Sequence, residues 1–286
     1  MKIAFIGVGV MGKSMVRNLM KKGNELHIYS RTKSKAEEVI AEGAIWHDSV
    51  KDCVAGAEAV ITIVGYPKDV EQVYFGPEGI LENAKAGAFV IDMTTTSPKL
   101  AEKIYAEAKK KGLRALDAPV SGGDVGARNA TLAIMVGGDE ADFRDAEPIF
   151  QAMGTNIRYE GKAGNGQHTK MANQIALAGA MAGVCEAISY ARGAGLDIQT
   201  MLDTISTGAA GSWQMSNMAP RMLKGDFAPG FFVKHYIKDM NIASQEAEDR
   251  QLELPILADV LRMYKDIEEK GMGDLGTQAL IKYYEK

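Results

Sequence analysis

The first half of the chain alternates short, nearly unbroken apolar runs with stretches of helical periodicity. The runs are KIAFIG (2–7), ELHIYS (25–30), AVITIVG (59–65), AFVIDM (88–93), LRALDAP (113–119) and LAIMVGG (132–138). A strand with one wet face would alternate apolar and polar residues. Continuous runs of this length, rich in β-branched residues, instead predict strands covered on both faces. Between them, 11–22, 33–41 and 98–111 carry apolar residues at helical spacing. KKKG (109–112) closes the last of these with cations on its final turn and Gly just beyond. Strand–helix–strand alternation predicts an α/β, Rossmann-type, doubly wound and mostly parallel sheet.

The pattern changes after Gly164. Helical periodicity continues over 166–194, 197–206, 212–224, 235–250, 254–269 and 275–285, with no further strand pattern. Asp197 is placed to cap one helix and Pro255 to open another. The glycine-rich stretch EGKAGNG (160–166) marks the boundary. The expectation is a dinucleotide-binding domain over 1–163 and an all-α domain over 164–286, joined by a long interdomain helix. That helix carries small residues all round (Ala176, Ala178, Gly179, Ala180, Ala182, Gly183). Close approach from every side suits the centre of a helical domain or of a dimer, and predicts a homodimer or homotetramer.

Composition narrows this little. With 46% hydrophobic and 24% charged residues the chain reads as globular. A net charge of −4 without blocks of like charge argues against a nucleic-acid partner. Cys53 and Cys185 form neither a metal-site spacing nor a disulfide framework. The uncharged run MANQIALAGAMAGVC (171–185) falls short of the ~20 apolar residues of a membrane span. A first strand that begins at Lys2 leaves no room for a signal peptide, and a cytoplasmic protein with no membrane partner is expected.

The candidate chemistry starts at GVGVMG, where Gly7, Val8, Gly9, Val10, Met11 and Gly12 lie between a strand and a helix. Gly7 permits a tight turn, Gly9 lets a pyrophosphate reach the backbone, and Gly12 lets helix and strand pack closely. The helix N-terminus then receives the phosphates. The alternative is a turn that merely joins the two elements. After the second strand, where a carboxylate would bond the ribose 2′-hydroxyl of NAD, the chain reads Ser30-Arg31-Thr32, with no acid before Glu37. A guanidinium suits a 2′-phosphate, so NADP(H) is preferred and NAD(H) remains possible. The alternative is that Arg31, Lys33 and Lys35 begin a solvated helix.

Further stretches lie at strand C-termini, where ligands of doubly wound sheets bind. They are VGYPKDV (64–70), with the backbone of Val64, and DMTTTSP (92–98), with Thr94 to Ser97, where Ser97 also caps a helix. Ser121-Gly122-Gly123 offers a hydroxyl and two unhindered N–H groups to a carboxylate, or simply a turn. In GNGQHTKMANQ (164–174), Lys170 and Asn173 share a helical face, with Gln174 beside them. Burial near a cationic cofactor would lower the pKa of Lys170 into a range useful for proton exchange; a Lys reaching solvent from the first turns is the alternative. His168 reads as structural. In FFVKHYIKDMNIA (231–243), Lys234, Lys238 and Asp239 lie on one helix. Adjacent positions point apart, so Lys238 and Asp239 are expected not to pair, and a surface role is the default for Lys238.

Taken in order, GVGVMGKSMVRNL, DAPVSGG, GNGQHTKMANQ and KDMNIA resemble the motifs of the β-hydroxyacid dehydrogenase family over nearly the whole chain. One departure is that the family's Asn, four residues after its Lys, falls on Gln174 here, and Asn173 is taken as its counterpart. The resemblance implies an NAD(P)-dependent dehydrogenase or reductase acting on CH–OH groups of a small carboxylate-bearing substrate, a 3- or 2-hydroxyacid or its semialdehyde or oxo acid. It implies Lys170 as general acid/base, Asn173 as a substrate-orienting catalytic residue, and Ser121, Gly122 and Gly123 as the carboxylate site. Thr95 and Lys238 resemble cofactor-contacting residues, and Arg31 agrees with NADP-preferring members. Trp213 and Met215 are expected to face the substrate. An NAD-dependent 3-hydroxyisobutyrate dehydrogenase and a non-catalytic NADP-binding sensor or scaffold are the alternatives.

Overall fold

The computed structural model describes residues 1–285. Two compact units emerge, Met1–Lys170 and a second that starts at Met171.

The first unit is built on nine strands: β1 (Lys2–Ile6), β2 (Glu25–Tyr29), β3 (Ile45–Trp46), β4 (Ala59–Thr62), β5 (Phe89–Asp92), β6 (Arg114–Asp117), β7 (Val120–Ser121), β8 (Leu132–Gly138) and β9 (Gly154–Gly161). They run in the order β3-β2-β1-β4-β5-β6-β8-β7, with β9 beside β8. Pairing is parallel from β3 through β6, and β8 runs antiparallel to β6 and β7. The order 3-2-1-4-5-6 is that of a dinucleotide-binding sheet, in which the crevice opens where the order reverses, at the end of β1.

Both faces of the sheet are covered, as the unbroken apolar runs require. Along β1, Ile3 and Phe5 join one core, whereas Ala4 and Ile6 join the other. β4 and β5 divide in the same way, with Ile61 and Ile91 on one side and Val60 and Val90 on the other. The covering helices are α1 (Val10–Lys21), α2 (Glu37–Ala41), α3 (Val50–Val54), α4 (Pro67–Tyr74), α5 (Ile80–Asn83), α6 (Pro98–Lys110), α7 (Gly123–Asn129) and α8 (Glu140–Gln151).

The sequence pattern does not reveal β3, β7 or β9. The first two are only two residues long. β9 pairs only with β8, and Thr155, Asn156 and Arg158 on it are exposed, so it lacks the apolar signature of a covered strand.

The second unit holds most of α9 (Asn165–Gly193), then α10 (Ile198–Ile205), α11 (Trp213–Asn217), α12 (Ala219–Leu223), α13 (Val233–Glu248), α14 (Pro255–Ile267) and α15 (Ile281–Tyr284). The helix predicted over 212–224 is broken at Met218, just ahead of Pro220, whose ring is tolerated only in a first turn. At 29 residues, α9 has the length and composition of a membrane span, more than the run 171–185 suggested. Met171, Ala178, Met181, Val184, Cys185 and Ile188 bury one face of α9 in the helical core of this unit, as a core helix requires. The last turns of α9 lie at Gly193, and Asp197 caps α10 by accepting the Thr200 amide at 2.7 Å.

Candidate active site

The glycine turn has the backbone its residues demand. Gly7 has φ +106°, and a Cβ there would lie 2.1 Å from the carbonyl oxygen of Ile63. A Cβ on Gly12 would lie 2.1 Å from the Gly7 carbonyl oxygen. Gly9 faces open space and begins α1 with no side-chain cap. A polar, anionic group can therefore approach the first N–H groups of α1 with nothing in its way, which fits the pyrophosphate of a dinucleotide. Val8 is fully buried and Met11 packs on the same core, so only their backbone can serve a ligand, whereas Val10 is exposed.

Neighbouring loops are tied to this turn. The Gly7 amide donates to the Tyr29 carbonyl at 2.9 Å, which fixes the start of Ser30-Arg31-Thr32. Ser30 is half-buried; Arg31 and Thr32 are exposed. Arg31 does not extend freely: Nη1 donates to Asp69 Oδ1 at 2.9 Å and Nη2 to Asp69 Oδ2 at 3.4 Å. Val64 lies against Gly7, and its amide donates to Thr94 Oγ1 at 3.0 Å, joining the loops after β4 and β5.

Three polar residues end adjacent strands in register, with Thr62 opposite Asp92 and Asp92 opposite Asp117. All three are buried, and each is used to hold a loop. Thr62 Oγ1 donates to Asp92 Oδ1 at 2.7 Å, and the same oxygen accepts the Thr94 amide at 3.0 Å. Asp117 accepts the amides of Gly164 at 2.8 Å and Gln167 at 2.9 Å, so it anchors the start of α9 to the sheet. Burial pushes the Asp117 carboxyl up to about 7, against those two amides, which favour its charge. Gln167 reaches back to the loop after β5: Nε2 donates to the Thr94 carbonyl at 2.7 Å, and Oε1 accepts the Thr96 amide at 3.0 Å. Half-buried Thr95 lies between these two anchored backbone groups.

The anchoring determines where Lys170 falls. One turn beyond Gln167, it is 7% exposed, and Nζ donates to the Val120 carbonyl at 2.8 Å. Val120 immediately precedes Ser121-Gly122-Gly123. Gly122 has φ +127° and Gly123 φ +62°, successive conformations that favour glycine. The structure thus brings together the ammonium and the hydroxyl–glycine turn, which stand 47 positions apart in sequence (170 − 123).

In the second unit, Asn173 Nδ2 donates to Gln174 Oε1 at 2.8 Å, and Gln174 Nε2 donates to Asp239 Oδ2 at 2.6 Å. Tyr236 also donates its hydroxyl to the Gln174 carbonyl at 2.9 Å. Gln174 is thereby a buried support, and Asn173 is the half-exposed member of the pair. The expectation that Lys238 and Asp239 point apart is wrong. Lys238 Nζ lies 2.6 Å from Asp239 Oδ1, because a long flexible stem can turn back along the helix to an adjacent buried carboxylate. Met215 is also corrected: it is a core residue of the helical unit, whereas Trp213 is exposed. Asp117, Gln167 and Asp69 escaped notice in the sequence. An acid ending a covered strand, Asp117 in LRALDAP, was the one available signal. Among the described residues, no cluster of His, Cys, Asp or Glu has the makings of a metal site.

Residues 2–161 match the NAD-binding domain of 6-phosphogluconate dehydrogenase, and residues 164–284 match the NAD-binding domain of NADP-dependent 3-hydroxyisobutyrate dehydrogenase. The chain belongs to the β-hydroxyacid dehydrogenase family. It is 56% identical to the uncharacterized oxidoreductase YkwC of Bacillus subtilis, over 99% of both chains. It is 35% identical to 2-hydroxy-3-oxopropionate reductase of Escherichia coli, over 100% of this chain and 97% of that one. A structure of Mycobacterium tuberculosis 3-hydroxyisobutyrate dehydrogenase with L-serine superposes with a TM-score of 0.89 at 32% identity, covering 98% of each chain. As a member of this family the chain is an NAD(P)-dependent oxidoreductase of CH–OH groups.

Proposed function

We propose that this enzyme interconverts a short 3-hydroxyacid, or a 2-hydroxyacid, with the corresponding semialdehyde or oxo acid, and that it prefers NADP(H). The observation that carries the reading is the Lys170 ammonium on the Val120 carbonyl, beside Ser121-Gly122-Gly123. The names of the relatives support the substrate class, since 3-hydroxyisobutyrate, 2-hydroxy-3-oxopropionate and L-serine all carry a carboxylate close to a reacting or hydroxylated carbon.

In this reading the chemistry that a bound nicotinamide would supply is donation or acceptance of the hydride. Ser121 and the amides of Gly122 and Gly123 hold the substrate carboxylate, which fixes the reacting carbon. Lys170 delivers a proton to the carbonyl oxygen in reduction and withdraws it in oxidation. The Val120 carbonyl accepts one of the ammonium N–H bonds and so orients the group. Asn173, one turn along α9 and braced by Gln174, orients the substrate. Gly7 to Gly12, Ser30, Arg31, Thr32, Val64, Thr95 and Lys238 hold the dinucleotide. We also propose that the protein is a cytoplasmic homodimer or homotetramer, which the small residues all round α9 favour.

A substrate panel tests the substrate class: glyoxylate, succinic semialdehyde, tartronate semialdehyde and methylmalonate semialdehyde, with the matching hydroxyacids and L-serine. Turnover of at least one short carboxylate-bearing compound is expected, and none of any of them would overturn the reading. Cofactor preference has its own test. Arg31→Ala should lower kcat/KM with NADPH by about 10- to 100-fold, the value of a hydrogen-bonded charge, and leave NADH within about twofold. An equal fall with both cofactors would remove Arg31 from the choice.

A further inference from the structure

The acid missing after β2 is supplied from elsewhere in the fold. In the strand order β2-β1-β4, the residues after β2 and the helix after β4 flank the end of β1, where the glycine turn lies. Arg31 comes two positions past β2, and Asp69 lies in the first turn of α4. Their ion pair therefore crosses beside the turn that receives the dinucleotide. Asp69 is 5% exposed, whereas the Arg31 side chain is 70% exposed. The carboxylate is the fixed partner: its Oδ2 also accepts the Tyr66 amide at 3.1 Å, and the N-terminus of α4 favours its charge.

We propose that Asp69 is a specificity-determining residue that limits the advantage Arg31 gives to a 2′-phosphate. The inference rests on the reading that Arg31 contacts that phosphate. Two of the five guanidinium N–H bonds are turned to Asp69, and a phosphate must share the remaining three with a carboxylate at its back. That carboxylate repels a dianion and does not repel a neutral ribose hydroxyl. The pair is exposed on the arginine side, so its own attraction is weak and easily shared. Asp69 thereby holds the arginine at the site and moderates its preference, which keeps NAD(H) usable.

The test is calorimetric binding of adenosine 2′,5′-bisphosphate and of 5′-AMP to the full chain, comparing wild type, Asp69→Asn, Arg31→Ala and the double variant. Asn keeps an oxygen for the Tyr66 amide and removes the charge; Asp69→Ser is the second variant if the first fails to fold. Asp69→Asn should tighten the bisphosphate by about 3- to 10-fold, as expected for relief of one partly screened repulsion, and leave AMP within about twofold. In the Arg31→Ala background the same change should still tighten the bisphosphate, because the carboxylate then has no guanidinium beside it to offset its repulsion. Unchanged or weaker bisphosphate binding in Asp69→Asn, with Arg31→Ala still selectively weakening it, overturns this inference alone. If Arg31→Ala weakens neither ligand or both equally, the cofactor reading falls and the inference with it.

Discussion

Lys170→Met should lower kcat/KM by ~10²–10⁴-fold, the usual worth of a positioned proton donor, while the Kd for the dinucleotide changes little. Methionine keeps the length of the stem and a good helix propensity, and the site is buried, so the fold should tolerate it. What disappears is the ammonium that the Val120 carbonyl holds at 2.8 Å. Lys170→Arg sharpens the test. Arginine keeps the positive charge but does not release a proton at neutral pH. If the role of Lys170 were only to neutralise a carboxylate, arginine should restore most of the activity. If the role is proton exchange, arginine should remain nearly as impaired as methionine. Turnover within about threefold of wild type in Lys170→Met would remove the residue from the chemistry.

Sequence legibility followed burial. The covered strands β1, β2, β4, β5, β6 and β8 announced themselves because residues on both of their faces are apolar. β9 did not, because an edge strand can be mostly polar, and two-residue β3 and β7 have no period to detect. Gly7 and Gly12 were legible because the close approaches they allow are a property of a short contiguous motif. The supporting polar groups were not. Asp117 and Gln167 matter through partners 47 to 73 positions away in the chain, at Gly164, Thr94 and Thr96. Nothing local distinguishes an aspartate that anchors another element from one that reaches water. Arg31 illustrates the same point for function. Its type and place after β2 point to a choice of cofactor, but the charge it presents depends on Asp69, which no spacing rule links to it. The Lys238–Asp239 pair is hidden for the opposite reason: adjacent Cβ atoms on a helix point apart, but the lysine stem is long enough to turn back to its neighbour.

Asp117→Ala should destabilise the fold by about 2–6 kcal/mol, since two buried amide donors, at Gly164 and Gln167, lose their acceptor and each such loss costs about 1–3 kcal/mol. The cost should depend on pH in a defined sense. Burial raises the carboxyl to about 7 from an ordinary value near 4. A folded-state value above the unfolded one means that the folded protein binds the proton more tightly. The stability from this group is therefore fully present below pH ~4 and is lost as pH rises through about 7. Urea denaturation at pH 5.5 and pH 8 checks this, because groups common to both proteins cancel in the difference. Wild type should exceed Asp117→Ala by more at pH 5.5 than at pH 8. A gap that widens at pH 8 would mean that the charge itself caps α9 and that the amides outweigh burial. The variant should also lose activity beyond its loss of stability. Lys170 meets Val120 only because α9 starts where Asp117 holds it, and a shift of about 1 Å in an orienting group can cost ~10²-fold in rate.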